Sequence, residues 1–192
     1  EDNDSTYKSL DLTLTKRMSK RWSLIASFLY TWRREHWFGS PQNPNEDLNN
    51  DANTKLWTFK ALGTYQAPYG IVITPVLRHQ AGTPVPRRVN ASTNGGTFAM
   101  LVEPSGSYRQ DNVTIFDTRV EKYFLLKGAR RLGVFADFFN INNSNAAQNQ
   151  ESLTGLRTVV LPDKSTKPVT RFLYPTTIIG PRIVRFGVKF SF

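Results

Sequence analysis

Hydrophobic and polar residues alternate along most of this chain, which is the pattern of a β-strand with one apolar face. The alternation is clearest in segment 21–32, where apolar side chains occupy every second position from Trp22 to Trp32. The pattern predicts about seven strands, at residues 7–16, 21–32, 56–66, 70–80, 113–125, 131–141 and 181–192. We therefore expect an all-β, antiparallel fold.

The connections between these strands alternate in length. Three are predicted to be tight turns, at residues 16–20, 66–69 and 126–130. The other three are long, polar and rich in Asn, Pro, Gly and Ser, at residues 33–55, 81–112 and 142–180. Unstructured links of this length are unusual in a compact domain, whereas outer-membrane barrels have short periplasmic turns and long extracellular loops. The pattern favours such a barrel.

Strand length and the placement of aromatic residues separate a membrane barrel from a soluble β domain. The predicted strands have about eleven or twelve residues, whereas about five or six is usual in globular proteins. Trp22 and Trp32 are separated by about 33 Å at roughly 3.3 Å per residue. A strand tilt of about 40° reduces this to roughly 25 Å, the height of the apolar band between two aromatic girdles. The girdle is predicted at Trp22, Trp32, Trp57 and Tyr65.

Seven antiparallel strands do not close an ordinary single-chain bacterial barrel, which has an even number. An open sheet in lipid would leave the N–H and C=O groups of its edges without partners. Residues 1–4 have neither the basic nor the apolar region of a signal peptide. We therefore expect residues 1–192 to be one incomplete domain, the C-terminal part of a transmembrane β-barrel in a bacterial outer membrane.

Charge suggests partners for the strand ends. The net charge of +10 favours an anionic partner. The basic pairs lie at strand ends on both sides of the sheet, whereas a nucleic-acid reader gathers them on one face with stacking aromatics, so no nucleic-acid partner is expected. Four arginines at the extracellular rim are candidate contacts for lipopolysaccharide phosphates: Arg33, Arg34, Arg87 and Arg88. The alternative is that these side chains only extend into the interface between lipid and water.

The sequence predicts no catalytic, cofactor or metal site. The absence of cysteine excludes disulfides and thiolate chemistry. His36 and His79 fall on different loops, and no acidic or hydroxyl partner stands out for either of them. Residues 47–51 resemble the start of a calcium loop, but Ala52 and Thr58 stand where an EF-hand needs Gly and Glu. A looser calcium site in this loop stays open, and we expect no enzyme.

Four motifs follow one another along the chain: HQAGTP at 79–84, RVEK at 119–122, VFADFFNINN at 134–143 and IGPRIVRFGVKFSF at 179–192. In this order they resemble the C-terminal strands of TonB-dependent outer-membrane transporters, in the Oar-like group that carries a carboxypeptidase-regulatory-like domain. Ala81 departs from the serine that this group usually has before its GTP segment. Each motif is short, and their order across nearly the whole chain carries the resemblance.

The resemblance implies about the last third of a 22-stranded barrel. It also implies energised uptake of an unidentified substrate, coupled to the TonB complex through regions that lie outside this chain, so that the chain is not competent alone. Outer-membrane lipid and the barrel-assembly machinery are further implied partners. The alternative is a soluble β-barrel or sandwich that binds a small apolar ligand.

The last strand resembles the C-terminal signal by which the barrel-assembly machinery recognises its clients. The residues of this signal alternate along the strand: Phe186, Val188, Phe190 and Phe192. A terminal aromatic on an alternating strand offers that machinery an exposed edge for β-augmentation.

Deleting Phe192 from the full-length protein is expected to lower its insertion into the outer membrane, because the recognition element is lost. Insertion is measured as the amount of folded protein in the outer-membrane fraction. Unchanged insertion would contradict the signal.

Overall fold

The computed structural model describes residues 5–35, 52–127 and 130–192. These residues form the following β-strands, with a short 3₁₀ turn at Pro68–Gly70: β1 (Thr6–Ser19), β2 (Trp22–Glu35), β3 (Ala52–Ala67), β4 (Ile71–Gln80), β5 (Arg88–Thr93), β6 (Gly96–Leu101), β7 (Val113–Leu125), β8 (Arg131–Phe139), β9 (Ala147–Gln150), β10 (Leu156–Val160), β11 (Thr166–Thr170), β12 (Pro175–Ile178) and β13 (Ile183–Ser191). None of the helical segments in these ranges has the length and apolar character needed to cross a membrane.

One antiparallel sheet dominates the fold, with the strand order β1-β2-β3-β4-β7-β8-β13. Its strands are the ones that the alternation predicts, so the prediction of an all-β antiparallel fold is confirmed. The sheet is open, because β1 and β13 form its two edges and the described strands do not pair them with each other. A closed barrel is therefore not what the described residues form by themselves.

Three strand ends differ from the predicted ones because residues with positive φ, or a proline, end the strand there. β1 continues to Ser19, so the first turn consists only of Lys20 and Arg21, with φ of 50° and 70°. Two successive positive φ values are the mark of a type I′ hairpin turn, and the predicted turn at 16–20 was too long. β8 ends two residues early because Asn140 has a φ of 50°. β13 begins only after Pro181, which has no N–H for the ladder.

The prediction of unstructured long links is wrong for two of the three. Link 81–112 contains the β5–β6 hairpin, and link 142–180 contains the β10–β11 hairpin and the β9–β12 pair. The two links also join each other, since the Arg88 N–H donates to the Ser152 carbonyl at 2.7 Å and the Thr154 N–H donates to the Arg88 carbonyl at 2.8 Å. Most of the link 33–55 lies outside the described residues.

The register of the sheet assigns its side chains to two faces, because residues directly opposite each other on neighbouring strands point the same way. We call the first the apolar face. It contains the even positions of β1, β2, β7, β8 and β13 and the odd positions of β3 and β4. Its charged residues all fall within the first or last four residues of a strand: Lys8, Lys16, Arg34, Lys55 and Lys122.

The opposite face, which we call the polar face, has charges along its whole length. Among them are Asp11, Lys60, Arg78, Asp117, Arg119, Glu121, Asp137, Arg185 and Lys189. Threonine and serine fill many of the positions between them, as on β1 and β3. The two faces of this sheet therefore differ in chemistry at mid-strand, not at the strand ends.

Apart from the loop end, where the links 81–112 and 142–180 meet the polar face, neither face is covered by a second layer within the described residues. The buried hydrophobic residues there are mostly small and lie at the loop end of the molecule: Ala52, Ala81, Val85, Val113, Ala147 and Ile179. By contrast, apolar-face residues remain in the open, such as Leu14 with 62% of its surface exposed and Phe186 with 78%. The sheet has no core of its own.

Gly82 allows the chain to leave β4 against the segment that precedes β7. A Cβ at this position would lie 1.8 Å from the backbone carbonyl oxygen of Gln110. Gly82→Ala is therefore expected to lower the free energy of unfolding by about 1–3 kcal/mol, the usual cost of forcing extra atoms into a packed site. The matched control is Gly180→Ala, where a Cβ meets nothing within 4 Å. Equal chemical-denaturation midpoints for the two variants would contradict this account.

Candidate functional site

The predicted girdle residues all lie on the apolar face, near its two ends. Trp22 and Tyr65 are direct cross-strand partners close to the turn that joins β1 and β2. Trp57 pairs with Tyr30 near the other end, and the Tyr30 ring lies 4.2 Å from that of Trp32. The structure thus brings these aromatics together in two groups, while their position at a lipid boundary stays a prediction.

The predicted C-terminal signal lies on a free edge. Phe186, Val188 and Phe190 point to the apolar face of β13, which pairs only with β8 among the described strands. Phe192 follows the strand, with 98% of its surface exposed and its ring 6.1 Å from that of Phe190. The edge and its aromatics are accessible, and their recognition by the assembly machinery stays a prediction.

The four candidate lipopolysaccharide contacts do not form one cluster in the described part of the chain. Arg33 and Arg34 are successive residues of β2 and point to opposite faces, and Arg33 forms an ion pair with Glu35. Together with Lys8 and Trp32, both arginines line an open groove of about 520 Å³ at the loop end of the sheet. A phosphate in this groove would meet cations from two strands.

Arg87 and Arg88 belong to the folded links. The Arg87 Nη1 lies 3.3 Å from Glu103 Oε1, so this guanidinium already has a carboxylate partner. The Arg88 backbone pairs with Leu101 in the β5–β6 hairpin. Internal pairing of Arg87 competes with an external phosphate, and lipopolysaccharide contact stays a prediction for all four arginines.

Of the two histidines and the acids of loop 47–51, only His79 lies in the described ranges. His36 and residues 47–51 lie outside the described residues. The prediction that His79 lies on a loop without a hydroxyl partner is wrong: it lies in β4 on the apolar face, where its Nδ1 is 2.8 Å from Thr114 Oγ1 and its ring is 4.6 Å from that of Trp57. The described residues contain no group of three or more His, Asp or Glu side chains that could hold a metal ion.

The polar face contains an ion network that the sequence did not predict. Asp137 on β8 is buried, and it accepts hydrogen bonds from arginines on both neighbouring strands. Arg119 Nε and Nη2 lie 2.5 and 3.0 Å from the two carboxylate oxygens, and Arg185 Nη2 lies 2.6 Å from Oδ2. These three residues belong to three of the motifs quoted above, but only the register of β7, β8 and β13 brings them together.

Aromatic rings hold both arginines of this network in place. The guanidinium of Arg119 lies 4.4 Å from the ring centroid of Phe135, and that of Arg185 lies 5.5 Å from the centroid of Phe139. Gly187 leaves room for the Phe135 ring, since a Cβ there would lie 2.2 Å from a ring atom. Cation–π contacts and bidentate pairing both favour arginine over lysine at these positions.

A second ion network joins the folded links at the loop end. Glu151 accepts hydrogen bonds from Arg171 Nε at 2.8 Å and from Arg157. The hydrogen bond from Arg171 and the charge of Arg157 hold the pKa of the Glu151 carboxyl below its ordinary value. Nearby, the ring of Phe172 packs edge-on against Tyr108 at 4.8 Å, which ties link 142–180 to link 81–112.

A cavity of about 200 Å³ lies where these links meet the sheet. Arg78 and Gln80, from the polar face of β4, form its base. Its remaining walls come from the segment around Gly82, from Gln110 and Val113, and from the start of β9: Ala81, Gly82, Thr83, Gln110, Val113, Ala147 and Gln148. Cations, amides and hydroxyls are the polar groups of this lining, and such groups bind anions or neutral polar ligands.

No protein-family model, no curated protein and no solved structure matches this chain.

Asp137→Asn is expected to lower the free energy of unfolding by about 1–3 kcal/mol, because the amide carries no negative charge for the two guanidinium groups and replaces one acceptor oxygen by an NH2 donor. Arg119 and Arg185 are partly exposed, so water recovers part of that loss. The control is Asp11→Asn, an exposed carboxylate on the same face of β1. Denaturant midpoints that fall equally in both variants would show that Asp137 acts only as one surface charge among others.

Proposed function

We propose that residues 1–192 are the C-terminal part of the β-barrel of a TonB-dependent transporter in a bacterial outer membrane, serving energised uptake of an unidentified substrate. One observation carries the membrane part of this proposal. Among the described residues, the apolar face has charges only near strand ends, the opposite face also has them at mid-strand, and no second layer covers either face at mid-strand. Lipid on one side and a water-filled lumen on the other would suit both faces.

The energetic reason is the cost of leaving the apolar face in water. Burying a Leu or Phe side chain contributes about 1.5–3 kcal/mol, and this face exposes several of them, such as Leu12, Leu14 and Phe190. A charge turned towards lipid at mid-strand would cost about 2–4 kcal/mol in a transmembrane barrel. Lys60 and Arg119, which lie in the middle of β3 and β7, therefore support a lumen on the polar side of the sheet.

The lysines of the apolar face support the same orientation. Lys16 Nζ donates to the Ser19 carbonyl at 3.1 Å and to the Trp22 carbonyl at 3.0 Å, and it lies 3.8 Å from the Trp22 ring centroid. Lys122 reaches the carbonyl of Tyr69 in the next turn on the same side. Both ammonium groups thus extend away from the apolar band towards the turns, as lysines do at a membrane interface.

A barrel also needs partners for the two sheet edges. In lipid, each unpaired N–H or C=O group costs several kcal/mol, so the proposal requires further strands beside β1 and β13. The transporter class rests on the resemblance of the ordered motifs. The Asp137 network supports the transporter class indirectly, because residues from three of those motifs bind one another in it.

The alternative of a soluble barrel for a small apolar ligand requires an enclosed apolar cavity. Each of the two cavities described above has charged and amide side chains in its lining, Lys8, Arg33, Arg34 and Asn53 in one and Arg78, Gln80, Gln110 and Gln148 in the other. No contact in the described residues favours this alternative.

The natural absence of cysteine allows a direct test of the two faces. Ser27 and Phe28 are neighbours on β2 and point to the polar and the apolar face. In lipid vesicles, Ser27→Cys should react with a charged maleimide at least about tenfold faster than Phe28→Cys, because thiolate formation and reagent access both need water. The two variants serve as each other's control.

Equal labelling rates in vesicles, together with a monodisperse protein in detergent-free buffer, would overturn the membrane proposal. The transporter class is tested separately, by capture of the full-length protein on the immobilised periplasmic domain of TonB. Retention no greater than that of an unrelated porin would contradict it.

A further inference from the structure

Arg78, at the base of the 200 Å³ cavity, has a charge without a visible counterpart. Its Nε is buried and has no hydrogen-bond partner among the described residues. Within the same ranges, no carboxylate lies within ion-pair distance of its guanidinium. Buried polar atoms in native proteins are almost always hydrogen-bonded, so a buried Nε without a partner, on a half-buried arginine that lines a cavity, points to a ligand.

The surroundings of Arg78 add positive charge. Lys60 on β3 is its direct cross-strand partner, and like charges in this position repel each other. Arg109 reaches the same cavity wall by donating from Nη1 to the Gly82 carbonyl at 3.3 Å. Arg78 therefore lines a cavity that has no acidic side chain in its lining, and Lys60 and Arg109 are two further cations beside residues of that lining.

The one carboxylate diagonal to Arg78 on the polar face of β7 is otherwise engaged. Asp117 Oδ1 accepts a hydrogen bond from the Asn140 N–H at 2.6 Å, which fixes the end of β8. This contact directs the carboxylate towards the β8 backbone. Among the described residues, Asp117 forms no ion pair with Arg78, and the guanidinium can therefore pair with an anion from outside the chain.

We propose that this cavity binds the oxyanion group, carboxylate or phosphate, of a small polar molecule, with Arg78 as the principal binding residue. The planar guanidinium fork matches either group with two parallel hydrogen bonds. Gln80, Gln110 and Gln148 line the same cavity and offer amides to neutral polar parts of the ligand. At roughly 30 Å³ per water, the volume accommodates a molecule about the size of an amino acid, or one end of a larger one.

The cavity lies at the loop end of the sheet, and ligand binding there does not depend on transport. It lies on the polar face, under the links 81–112 and 142–180, and Gly82 is part of its wall. In the proposed barrel this is the extracellular mouth of the lumen. The inference goes beyond the proposed function, because binding in detergent micelles requires neither insertion nor TonB.

The test is calorimetric titration of the protein in detergent micelles with sodium succinate, with inorganic phosphate and with neutral succinamide. We expect succinate or phosphate to bind and succinamide to bind at least about tenfold more weakly, since charged hydrogen bonds supply most of the affinity. Whichever anion binds more tightly identifies the oxyanion as carboxylate or phosphate. Failure of both anions to bind, or equal affinity for succinamide, would overturn the proposal.

Arg78→Gln should raise the Kd of the bound anion at least about tenfold. The control is Lys189→Gln, which removes a cation of β13 on the same face of the sheet and should change the Kd less than about twofold. Equal losses in both variants would mean diffuse charge attraction and would overturn the site. The thermal midpoint of Arg78→Gln without anion should equal or exceed that of the parent protein, since an unpaired charge is removed. Lys60→Gln provides a second variant outside the cavity lining, with an expected loss of about threefold from the weaker field.

Discussion

The alternation of side chains across the seven-stranded sheet is the constraint on which the other features depend. Successive side chains of a strand point to opposite faces, so each strand can present apolar residues on one face and polar residues on the other. Antiparallel pairing then aligns the apolar positions of all seven strands on one side. Because a one-residue slip would exchange the faces of a strand, the chemical contrast between the faces also holds the register in place.

The charged side chains of the two faces have different partners. On the apolar face, Lys16 and Lys122 extend to backbone carbonyls in the adjoining turns. On the polar face, Asp137 on β8 binds Arg119 on β7 and Arg185 on the edge strand β13. The network therefore does for the polar face what side-chain packing does for an ordinary core: it links neighbouring strands through specific contacts. These contacts stabilise strand pairing in a sheet whose faces lack a packed second layer at mid-strand within the described residues.

The long links form a separate layer of organisation at one end of the sheet. They pair with each other through the Arg88 and Thr154 backbones and through the Tyr108–Phe172 contact. The folded links cover the loop end of the polar face. The cavity at Arg78 lies where these links meet the end of β4. In a transporter, a structured entrance of this kind would select what reaches the lumen, while the sheet below would only contain it.

The sequence by itself determined which segments form the seven strands of the main sheet and which of their residues share a face, because both depend on a local period of two. It also placed the girdle and terminal aromatics on one side, from Trp22 to Phe192. Only the tertiary structure decided which strand positions meet, since a slip by two residues keeps every face intact and changes every partner. The pairing of Asp137 with two arginines, the folding of link 142–180 and the isolation of Arg78 all depend on contacts distant in sequence, which no local pattern encodes.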